Sequence, residues 1–340
     1  MCTVIPLSLS EIAAVTNGRL HGARGTEVVT AVEFDSRAIR PGGLFVALPG
    51  ERVDGHAFAA AAVERGAACV LAAREVDGPA VVVPPAEDTA RVAGTYLGDT
   101  DPDGSGAAVL AALARLAHHV VGALPGLTVV GVTGSSGKTS TKDLLAAVLA
   151  PLGPTVAPPE SFNNELGLPW TALRADDTTR HLVLEFSARG TGHIAALAAA
   201  VPPRIGVVLN VGSAHLGEFG SVEAIARAKG ELVEALPADG IAVLNADDPR
   251  VAAMAARTSA RVLTFGARAD VRAEALTLDA GRARFRLVTP VGSAPVALRL
   301  VGAHHGGNAL AAAAVACELG GTPDAMAAAL ETADERGYYD

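Results

Sequence analysis

The stretch Gly131-Val132-Thr133-Gly134-Ser135-Ser136-Gly137-Lys138-Thr139-Ser140 joins an apolar strand-like segment to a helical one. That context is the one a phosphate-binding loop needs, and the glycines let backbone N–H groups curve around an anion. The helix N-terminus adds positive partial charge. Lys138 is placed to reach the β- and γ-phosphates, and the Thr139 hydroxyl to ligate Mg²⁺. A glycine-rich turn with an incidental lysine is the alternative. The candidate cofactor-binding residues are Gly134, Ser135, Ser136, Gly137, Lys138, Thr139 and Ser140.

Working outward, strands and helices alternate on both sides of this loop. The pattern predicts helices over 107–124, 138–150, 192–200 and 222–236, with strands at 127–132, 182–185, 205–210, 241–245 and 262–265. Alternation of this kind is typical of a mostly parallel sheet covered by helices. A β-rich stretch over 284–300 and helices over 308–319 and 323–330 follow. The fold class is therefore predicted to be α/β.

The segment before the loop predicts a smaller α/β module. It holds a short helix capped at Ser8 or Ser10, buried strands near 44–48, 68–72 and 80–83, and a helix over 56–65. Residues 84–106 are rich in Pro, Gly and acidic residues and predict a linker. The expected domains are 1–106, an N-terminal domain with its linker, and 107–330, a central ATP-binding domain. Residues 331–340 are expected to form a tail.

Composition excludes several classes of protein. The chain has 340 residues, of which 50% are hydrophobic and 19% charged, with a net charge of −9. An acidic surface argues against nucleic acid or an anionic membrane as the main partner. Three cysteines without CxxC spacing favour a reducing compartment. The most apolar region, 107–132, is interrupted by charged residues and Pro125, which argues against a membrane span. These features predict a cytoplasmic protein.

Four further residues are candidates for cation or nucleotide contacts. Glu185 ends an apolar strand, where ligands of parallel sheets bind, although a solvated carboxylate is an equal alternative. His215 follows another strand end and is a candidate metal ligand or phosphate contact, although an isolated histidine is more often structural. Lys229 lies on a predicted helix, where a lysine is usually solvated. Asn308 is either a helix N-cap or a nucleotide contact.

These segments together resemble the Mur ligase family, in its MurF type. The resemblance spreads from about residue 28 to 320, and its segments hold a fixed order. They are Asp35-Ser36-Arg37, the run 41–48, Asp54-Gly55-His56, the phosphate loop, 162–169, Glu185-x-Ser187-Ala188-Arg189-Gly190, Asn210–Leu216, Ala228–Leu232, Leu244–Asp248 and Asn308–Ala312. Val132, which departs from the strict phosphate-loop pattern, is normal in this family.

The resemblance assigns roles to these residues. It implies that Lys138 and Thr139 hold ATP and Mg²⁺, and that Glu185 and His215 serve the magnesium sites. Lys229 would match a lysine that is often carbamylated in the family and so able to ligate metal. Catalytic roles then fall to Lys138, Lys229 and His215, and Asn308 would lie near the nucleotide base. The substrate-binding residues implied are Ser36, Arg37, Asn163 and Asn164, with the first pair contacting UDP.

The resemblance also implies a reaction. A ligase of this type uses ATP to join D-alanyl-D-alanine to UDP-N-acetylmuramoyl-tripeptide in peptidoglycan precursor synthesis, through an acyl phosphate. The implied partners are those two substrates, ATP and Mg²⁺, with no nucleic acid or membrane, and the protein is expected to act as a monomer.

Two departures from the family are visible. His305 stands where the family usually has Asn, and only 32 residues follow Asn308, too few for the family's C-terminal domain. The expectation is therefore a chain without that third domain, which binds the precursor but makes little product alone. The alternative function is an inactive nucleotide- or UDP-precursor-binding module.

Overall fold

The computed structural model describes residues 4–49, 53–84, 101, 103–213 and 216–333. The chain divides into two compact units, the first made of Met1–Pro125 with Asn164–Thr178 and the second of Gly126–Asn163 with Thr179–Asp340. Most of the predicted linker and the end of the predicted tail lie outside the described residues, as does His215.

The secondary structure follows the predicted alternation. The strands are β1 Leu7–Ser8, β2 Arg19–His21, β3 Val28–Val29, β4 Ala31–Glu33, β5 Gly43–Val46, β6 Cys69–Ala72, β7 Ala80–Val82, β8 Thr128–Thr133, β9 Thr155–Val156, β10 His181–Glu185, β11 Ile205–Val208, β12 Ile241–Asn245, β13 Arg261–Phe265, β14 Arg272–Asp279, β15 Arg282–Thr289 and β16 Gly292–Val301. The helices are α1 Leu9–Thr16, α2 Ala59–Glu64, α3 Ser105–Gly122, α4 Lys138–Leu149, α5 Gly167–Ala172, α6 His193–Ala200, α7 Leu216–Phe219, α8 Val222–Glu234, α9 Pro249–Ala252, α10 His304–Glu318 and α11 Pro323–Thr332.

The first unit is built on a five-stranded sheet in the order β2-β7-β6-β5-β4. Strands β4 to β7 run parallel, and β2 pairs antiparallel with β7 at the edge. Every residue of β5, β6 and β7 is buried, as expected for parallel strands covered on both faces. Strands β1 and β3 form a separate antiparallel pair.

Helix α1 begins where the sequence predicts. The Ser8 hydroxyl accepts a hydrogen bond from the backbone N–H of Glu11 at 3.2 Å, and Asn17 closes the helix in the left-handed region at φ 55°. The Glu11 carboxylate lies 3.0 Å from Nε2 of His119 on α3. The Glu11 side chain thus joins two helices of the first unit.

Helix α3 belongs to the first unit, so the division at Pro125 differs from the predicted boundary at 106. The reason is its long apolar face, which packs against α1 and α5, while Arg115 donates a hydrogen bond to the Thr16 carbonyl at 2.7 Å. Among the described helices, α3 alone has the length and apolar composition to cross a membrane, and half of it is buried in the protein.

The segment Asn164–Thr178 also belongs to the first unit, although the chain has already entered the second. Trp170 on α5 donates a hydrogen bond through Nε1 to the Val32 carbonyl at 2.9 Å, and its ring meets Phe34 edge-on at 5.4 Å. The Arg174 guanidinium lies 5.1 Å from the Trp170 ring centre. These contacts hold the segment beside β4, a placement that the sequence did not predict.

The second unit is built on a six-stranded sheet in the order β13-β12-β11-β8-β10-β9, and all its pairs are parallel. Strand β8 lies near the centre, so the loop that follows it opens at the carboxyl edge of the sheet. The predicted α/β class is confirmed, with a small α/β unit followed by a phosphate-loop unit on a parallel sheet.

After the parallel sheet, the predicted β-rich stretch is a three-stranded antiparallel sheet in the order β14-β15-β16. Its inner side chains join α10 and α11 in the core of the second unit. Helix α10 begins at His304, four residues before the predicted start at Asn308. Asn308 therefore lies inside the first turns of the helix, and the N-cap alternative for it is wrong.

We predict that Trp170→Phe destabilises the first unit by about 1–2 kcal/mol. The substitution removes the N–H donor and leaves the carbonyl of buried Val32 without its partner. The change in the free energy of unfolding is measured by urea denaturation monitored by circular dichroism. The control is Phe34→Leu, which retains the Trp170 hydrogen bond and should cost less. Equal stability of Trp170→Phe and the parent protein would contradict the assignment.

Candidate nucleotide and metal site

The loop between β8 and α4 is fixed by its neighbours at the carboxyl edge of the sheet. The backbone N–H of Ser135 donates to the Asn210 carbonyl at 3.1 Å, and that of Ser136 to Asn210 Oδ1 at 3.0 Å. Gly137 precedes α4 at φ +83°, a conformation that favours glycine. The loop therefore meets the helix N-terminus in the shape that exposes backbone donors to an anion.

Asn308 packs directly against this turn. A Cβ on Gly137 would lie 2.8 Å from Asn308 Oδ1, so the close approach itself requires glycine. The Asn308 side chain is 7% exposed, and its Nδ2 atom is buried without a hydrogen-bond partner. A buried donor without a partner next to a phosphate loop is a candidate ligand contact.

Lys138 folds back over the loop. Its Nζ donates to the Gly134 carbonyl at 2.8 Å. Burial lowers the pKa of Lys138, and the Glu185 carboxylate opposes that effect. The ammonium group is thus partly desolvated at the position where a bound phosphate would meet it.

Glu185, at the end of β10, is fully buried beside the start of α4. Its Oε2 accepts from the Thr139 hydroxyl at 3.4 Å, the Ser161 hydroxyl at 3.4 Å and the Asn163 amide at 3.3 Å. The hydroxyls of Thr139 and Ser161 are 2.6 Å apart. The other carboxylate oxygen, Oε1, is buried without a hydrogen-bond partner.

The groups around Glu185 have opposite effects on the pKa of its carboxyl group. Burial raises the pKa of its carboxyl group, while the hydrogen bond from Asn163 and the charges of Lys142 and Lys138 lower it. Burial of a carboxylate with one unpartnered oxygen is unfavourable in free energy. A cation bound to that oxygen would offset this cost.

This donor set fits Mg²⁺. Magnesium prefers oxygen ligands and is held by one or two protein groups together with phosphates and water. Thr139 Oγ1 and Glu185 Oε1 supply such groups at the phosphate loop. Within the described ranges, no three His, Cys, Asp or Glu side chains cluster around one point for a metal.

Lys229 lies on α8 and is only 5% exposed. Burial lowers its pKa to about 7, and the Lys138 charge acts in the same direction. The interpretation of Lys229 as a solvated helical lysine is therefore wrong, because the helix turns this face into the unit. An amine with a pKa near neutrality is partly uncharged at pH 7 and nucleophilic.

Contacts of Glu231 and Arg257 hold α8 in place. Glu231 accepts from the backbone N–H of Gly192 at 2.6 Å and of Ala195 at 3.1 Å, so its carboxylate caps α6. Arg257 lies against Gly230 and donates to the carbonyls of Ala226 and Arg227 at 3.2 and 2.9 Å. A Cβ on Gly230 would lie 1.8 Å from the Arg257 guanidinium, which explains the glycine.

A cavity of about 460 Å³ opens beside the phosphate loop. Residues from the loop, from the ends of neighbouring strands and from the start of α10 line it: Ser136, Gly137, Ser140, Leu209, Asn210, Asn245, Phe265, His304, Gly307 and Asn308. Because the cavity adjoins Gly137, a nucleoside whose phosphates were bound in the loop would lie in it.

Strand-end side chains organise the loop after β11. Asn245 donates to the Leu209 carbonyl at 2.8 Å, and Asp248 accepts from the Val211 N–H at 2.8 Å. Ser135 Oγ accepts from the Gly212 N–H at 2.9 Å. His215 follows in this loop but lies outside the described residues.

The predicted substrate-binding residues are divided between the two units. Ser36 and Arg37 are in the first unit, where Arg37 forms a fork with Asp35 at 2.8–3.2 Å. The Arg37 side chain is 82% exposed. Asn163 and Asn164 fall in different units. Asn163 contacts Glu185, whereas Asn164 Oδ1 accepts from the N–H groups of Leu166 and Gly167 at 3.2 and 2.8 Å and so holds the start of α5.

Sequence reasoning missed several residues of the site. Ser161 and Lys142 carry no motif signal, and their placement depends on how the chain after β9 folds back on α4. Asn210 and Asp248 lie within segments that resemble the family, but the sequence predicts no individual role for them. The signal for them was the polar residue at each strand end, which recurs after β11 and β12.

The phosphate loop, the parallel sheet and the acidic strand end together define a P-loop nucleotide-binding unit. Sequence comparison agrees, since the profile of the Mur ligase middle domain matches residues 132–316 and that of the Mur ligase family catalytic domain matches residues 28–118. The chain belongs to the Mur ligase family, and its resemblance to the MurF type is confirmed by the relatives below.

Those relatives carry the same enzyme name. A Mycobacterium tuberculosis protein named UDP-N-acetylmuramoyl-tripeptide–D-alanyl-D-alanine ligase is 56% identical over 97% of this chain, which spans 66% of that relative. The Escherichia coli protein of the same name is 37% identical over 96% of this chain and 68% of its own length. This chain thus spans about two thirds of the length of these curated relatives.

Solved structures agree. MurF from Acinetobacter baumannii superposes with a TM-score of 0.84 at 32% identity, over 97% of this chain and 69% of that one. MurF ligase from Thermotoga maritima, in complex with ADP, gives 0.71 at 30% identity, over 89% and 65% of the two chains.

We predict that the lowered pKa of Lys229 appears in the pH dependence of stability. The folded-state pKa of about 7 lies below the unfolded value near 10.4, so between these pH values the unfolded chain binds more protons. The free energy of unfolding should therefore gain up to about 1.4 kcal/mol per pH unit as pH rises through this window.

In carbon dioxide-free buffer, Lys229→Met should be more stable than the parent at pH 7, and the difference should shrink towards pH 10. Denaturant unfolding at both pH values measures this. The control is Arg227→Met, which removes an exposed cation from the same helix. A difference that does not change with pH would contradict the buried, near-neutral amine.

Proposed function

We propose that this chain supplies the nucleotide-binding and precursor-binding parts of an ATP-dependent amide ligase that adds D-alanyl-D-alanine to UDP-N-acetylmuramoyl-tripeptide. The observation that carries the proposal is the buried Glu185, with one oxygen unpartnered, beside Thr139 of a phosphate loop. The names of relatives up to 56% identical support the choice of substrates.

The second unit would bind ATP in two parts. Backbone N–H groups of Gly134–Thr139 and the Lys138 ammonium would hold the phosphates, and the 460 Å³ cavity beside Asn308 would take the nucleoside. ADP bound to the similar Thermotoga protein supports this part of the proposal. Mg²⁺, held through Thr139 and Glu185, would offset the charge of the phosphates.

The proposed reaction has two steps. A carboxylate oxygen of the tripeptide attacks the γ-phosphorus of ATP, which forms an acyl phosphate and releases ADP. The amino nitrogen of D-alanyl-D-alanine then attacks the acyl carbon, which forms the amide and releases phosphate and a proton. Lys138 would stabilise the charge that develops on the transferred phosphoryl group, because its ammonium is already desolvated.

Lys229 would act after modification. Its uncharged amine, available because of the pKa near 7, would attack carbon dioxide to form a carbamate with loss of a proton. That step gives the buried side chain a negative charge, and the carbamate would be able to ligate a second cation together with His215. Glu231 and Arg257 would keep the helix in position for this role.

The first unit would bind the UDP moiety at the carboxyl edge of its own sheet. Ser36 and Arg37 follow β4, and the Arg37 fork suits a diphosphate. Asp54 follows β5 and binds Arg74, which follows β6; partial burial opposes the effect, but the Arg74 and His56 hydrogen bonds lower the pKa of Asp54 to about 2. An ordered polar edge of this kind is where ligands of parallel sheets bind. The muramoyl-peptide contacts of Asn163 and Asn164, the monomeric state and the cytoplasmic location stay predictions.

One assay separates this proposal from a binding module without activity. The purified protein is mixed with the UDP-tripeptide precursor, ATP, Mg²⁺ and D-alanyl-D-alanine, and phosphate and pentapeptide are measured separately. Release of both in equal amounts supports the ligase. Binding of precursor and nucleotide with neither product supports the binding module, and phosphate alone indicates an uncoupled ATPase.

We predict that Lys138→Ala abolishes ATP-dependent phosphate release and weakens ATP binding, with the fold unchanged. The reason is the loss of the one loop ammonium that faces the phosphates. Calorimetry and a phosphate assay measure the two effects. The control is Arg250→Ala, which removes an exposed cation of the same unit. Unchanged ATP affinity and phosphate release in Lys138→Ala would exclude the phosphate-loop assignment.

For the first unit, we predict that Arg37→Ala weakens binding of the UDP precursor by at least 10-fold, since a charge-assisted bond contributes about 1.5–3 kcal/mol. ATP affinity should not change. Calorimetry with each ligand measures both, and the exposed Arg24 of the same unit gives the control Arg24→Ala. Equal precursor affinity in Arg37→Ala would remove this residue from the site.

A further inference from the structure

Lysine is rare in this chain, and every lysine lies in the second unit. Of 27 basic residues only three are lysines, namely Lys138, Lys142 and Lys229. Lys138 and Lys229 belong to the site already described. Lys142 influences that site through its charge, which lowers the pKa of Glu185, and its side chain is 0% exposed, which is unusual for a lysine.

The contacts of Lys142 show what a buried ammonium does at this position. Its Nζ donates to the Pro158 carbonyl at 2.9 Å and lies 2.9 Å from Asp143 Oδ1. Asp143 is the next residue on α4, whereas Pro158 lies in the segment after β9. Lys142 therefore ties the helix of the phosphate loop to the segment 157–163.

That segment reaches Glu185. Ser161 and Asn163 both donate to Glu185 Oε2, and Ser161 also meets the Thr139 hydroxyl. The far end of the segment is held as well, since the Asn163 carbonyl accepts from the Ser187 N–H at 3.3 Å. Three donor groups thus lie within hydrogen-bonding distance of Oε2, and Oε1 is left buried and unpartnered.

We propose that Lys142 is a positioning residue for the magnesium site. It fixes the segment 157–163, so that Ser161 and Asn163 hold Glu185 by Oε2 and leave Oε1 for the cation. Lys142 touches neither nucleotide nor metal in this arrangement. Groups that orient a metal ligand from outside commonly change metal affinity about 10–100-fold.

This inference rests on the proposed nucleotide and magnesium site, and the test separates the two. The affinity for ADP is measured by calorimetry in Mg²⁺ and in EDTA, and the ratio of the two affinities reports the contribution of the cation. The parent protein should bind ADP more tightly in Mg²⁺. A parent that binds ADP equally well in both buffers would remove the proposed magnesium site itself.

In Lys142→Met the ratio should fall about 10-fold, while ADP affinity in EDTA stays unchanged. Ser161→Ala should lower the ratio in the same direction, and this variant keeps the test available if Lys142→Met does not fold. The control is Glu160→Gln, an exposed change in the same segment, which should behave as the parent. An unchanged ratio in folded Lys142→Met, or an equal loss in Mg²⁺ and EDTA, would overturn the positioning role. If Lys142→Met does not fold, an unchanged ratio in Ser161→Ala overturns it.

Discussion

The burial of the Glu185 carboxylate is the constraint on which the rest of the site depends. Removing water from a charged carboxylate is unfavourable in free energy, so the neighbouring groups have to compensate. Three donor groups lie within hydrogen-bonding distance of Oε2, and the charges of Lys142 and Lys138 act on the same carboxylate. One oxygen still has no partner among these groups. A cation bound at this oxygen would therefore stabilise the site, which is the basis of the proposed magnesium site.

The parallel sheet makes that arrangement possible. Strands β8, β10, β11 and β12 end at the same edge, which brings Thr133, Glu185, the loop after Val208 and Asn245 together although more than a hundred residues separate the first from the last. Buried strands hold these ends rigidly, and polar side chains such as Asn210 and Asp248 connect the loops beyond them. The first unit repeats the principle on a smaller sheet, where Asp35, Asp54 and Arg74 follow successive strands.

Two lysines illustrate how tertiary burial changes a side chain. On an exposed helix face, Lys229 would be an ordinary cation, but inside the second unit its pKa falls to about 7. Lys142 is buried more completely and remains useful as a hydrogen-bond donor because Asp143 and the Pro158 carbonyl surround its ammonium. Burial thus gives Lys229 the near-neutral pKa on which its proposed carbamylation depends, whereas buried Lys142 links two segments through its contacts.

The sequence by itself determined the α/β class, most strands and helices of the second unit and the phosphate loop, because alternating apolar segments and Gly134–Thr139 are local patterns. It also marked Glu185 through its position at a strand end. Only the tertiary structure decided that α3 and the segment Asn164–Thr178 join the first unit, that α10 starts before Asn308, and that Ser161 and Lys142 support Glu185. Those features depend on contacts between residues far apart in the chain, and the local periodicity of a sequence carries no information about which distant surfaces meet.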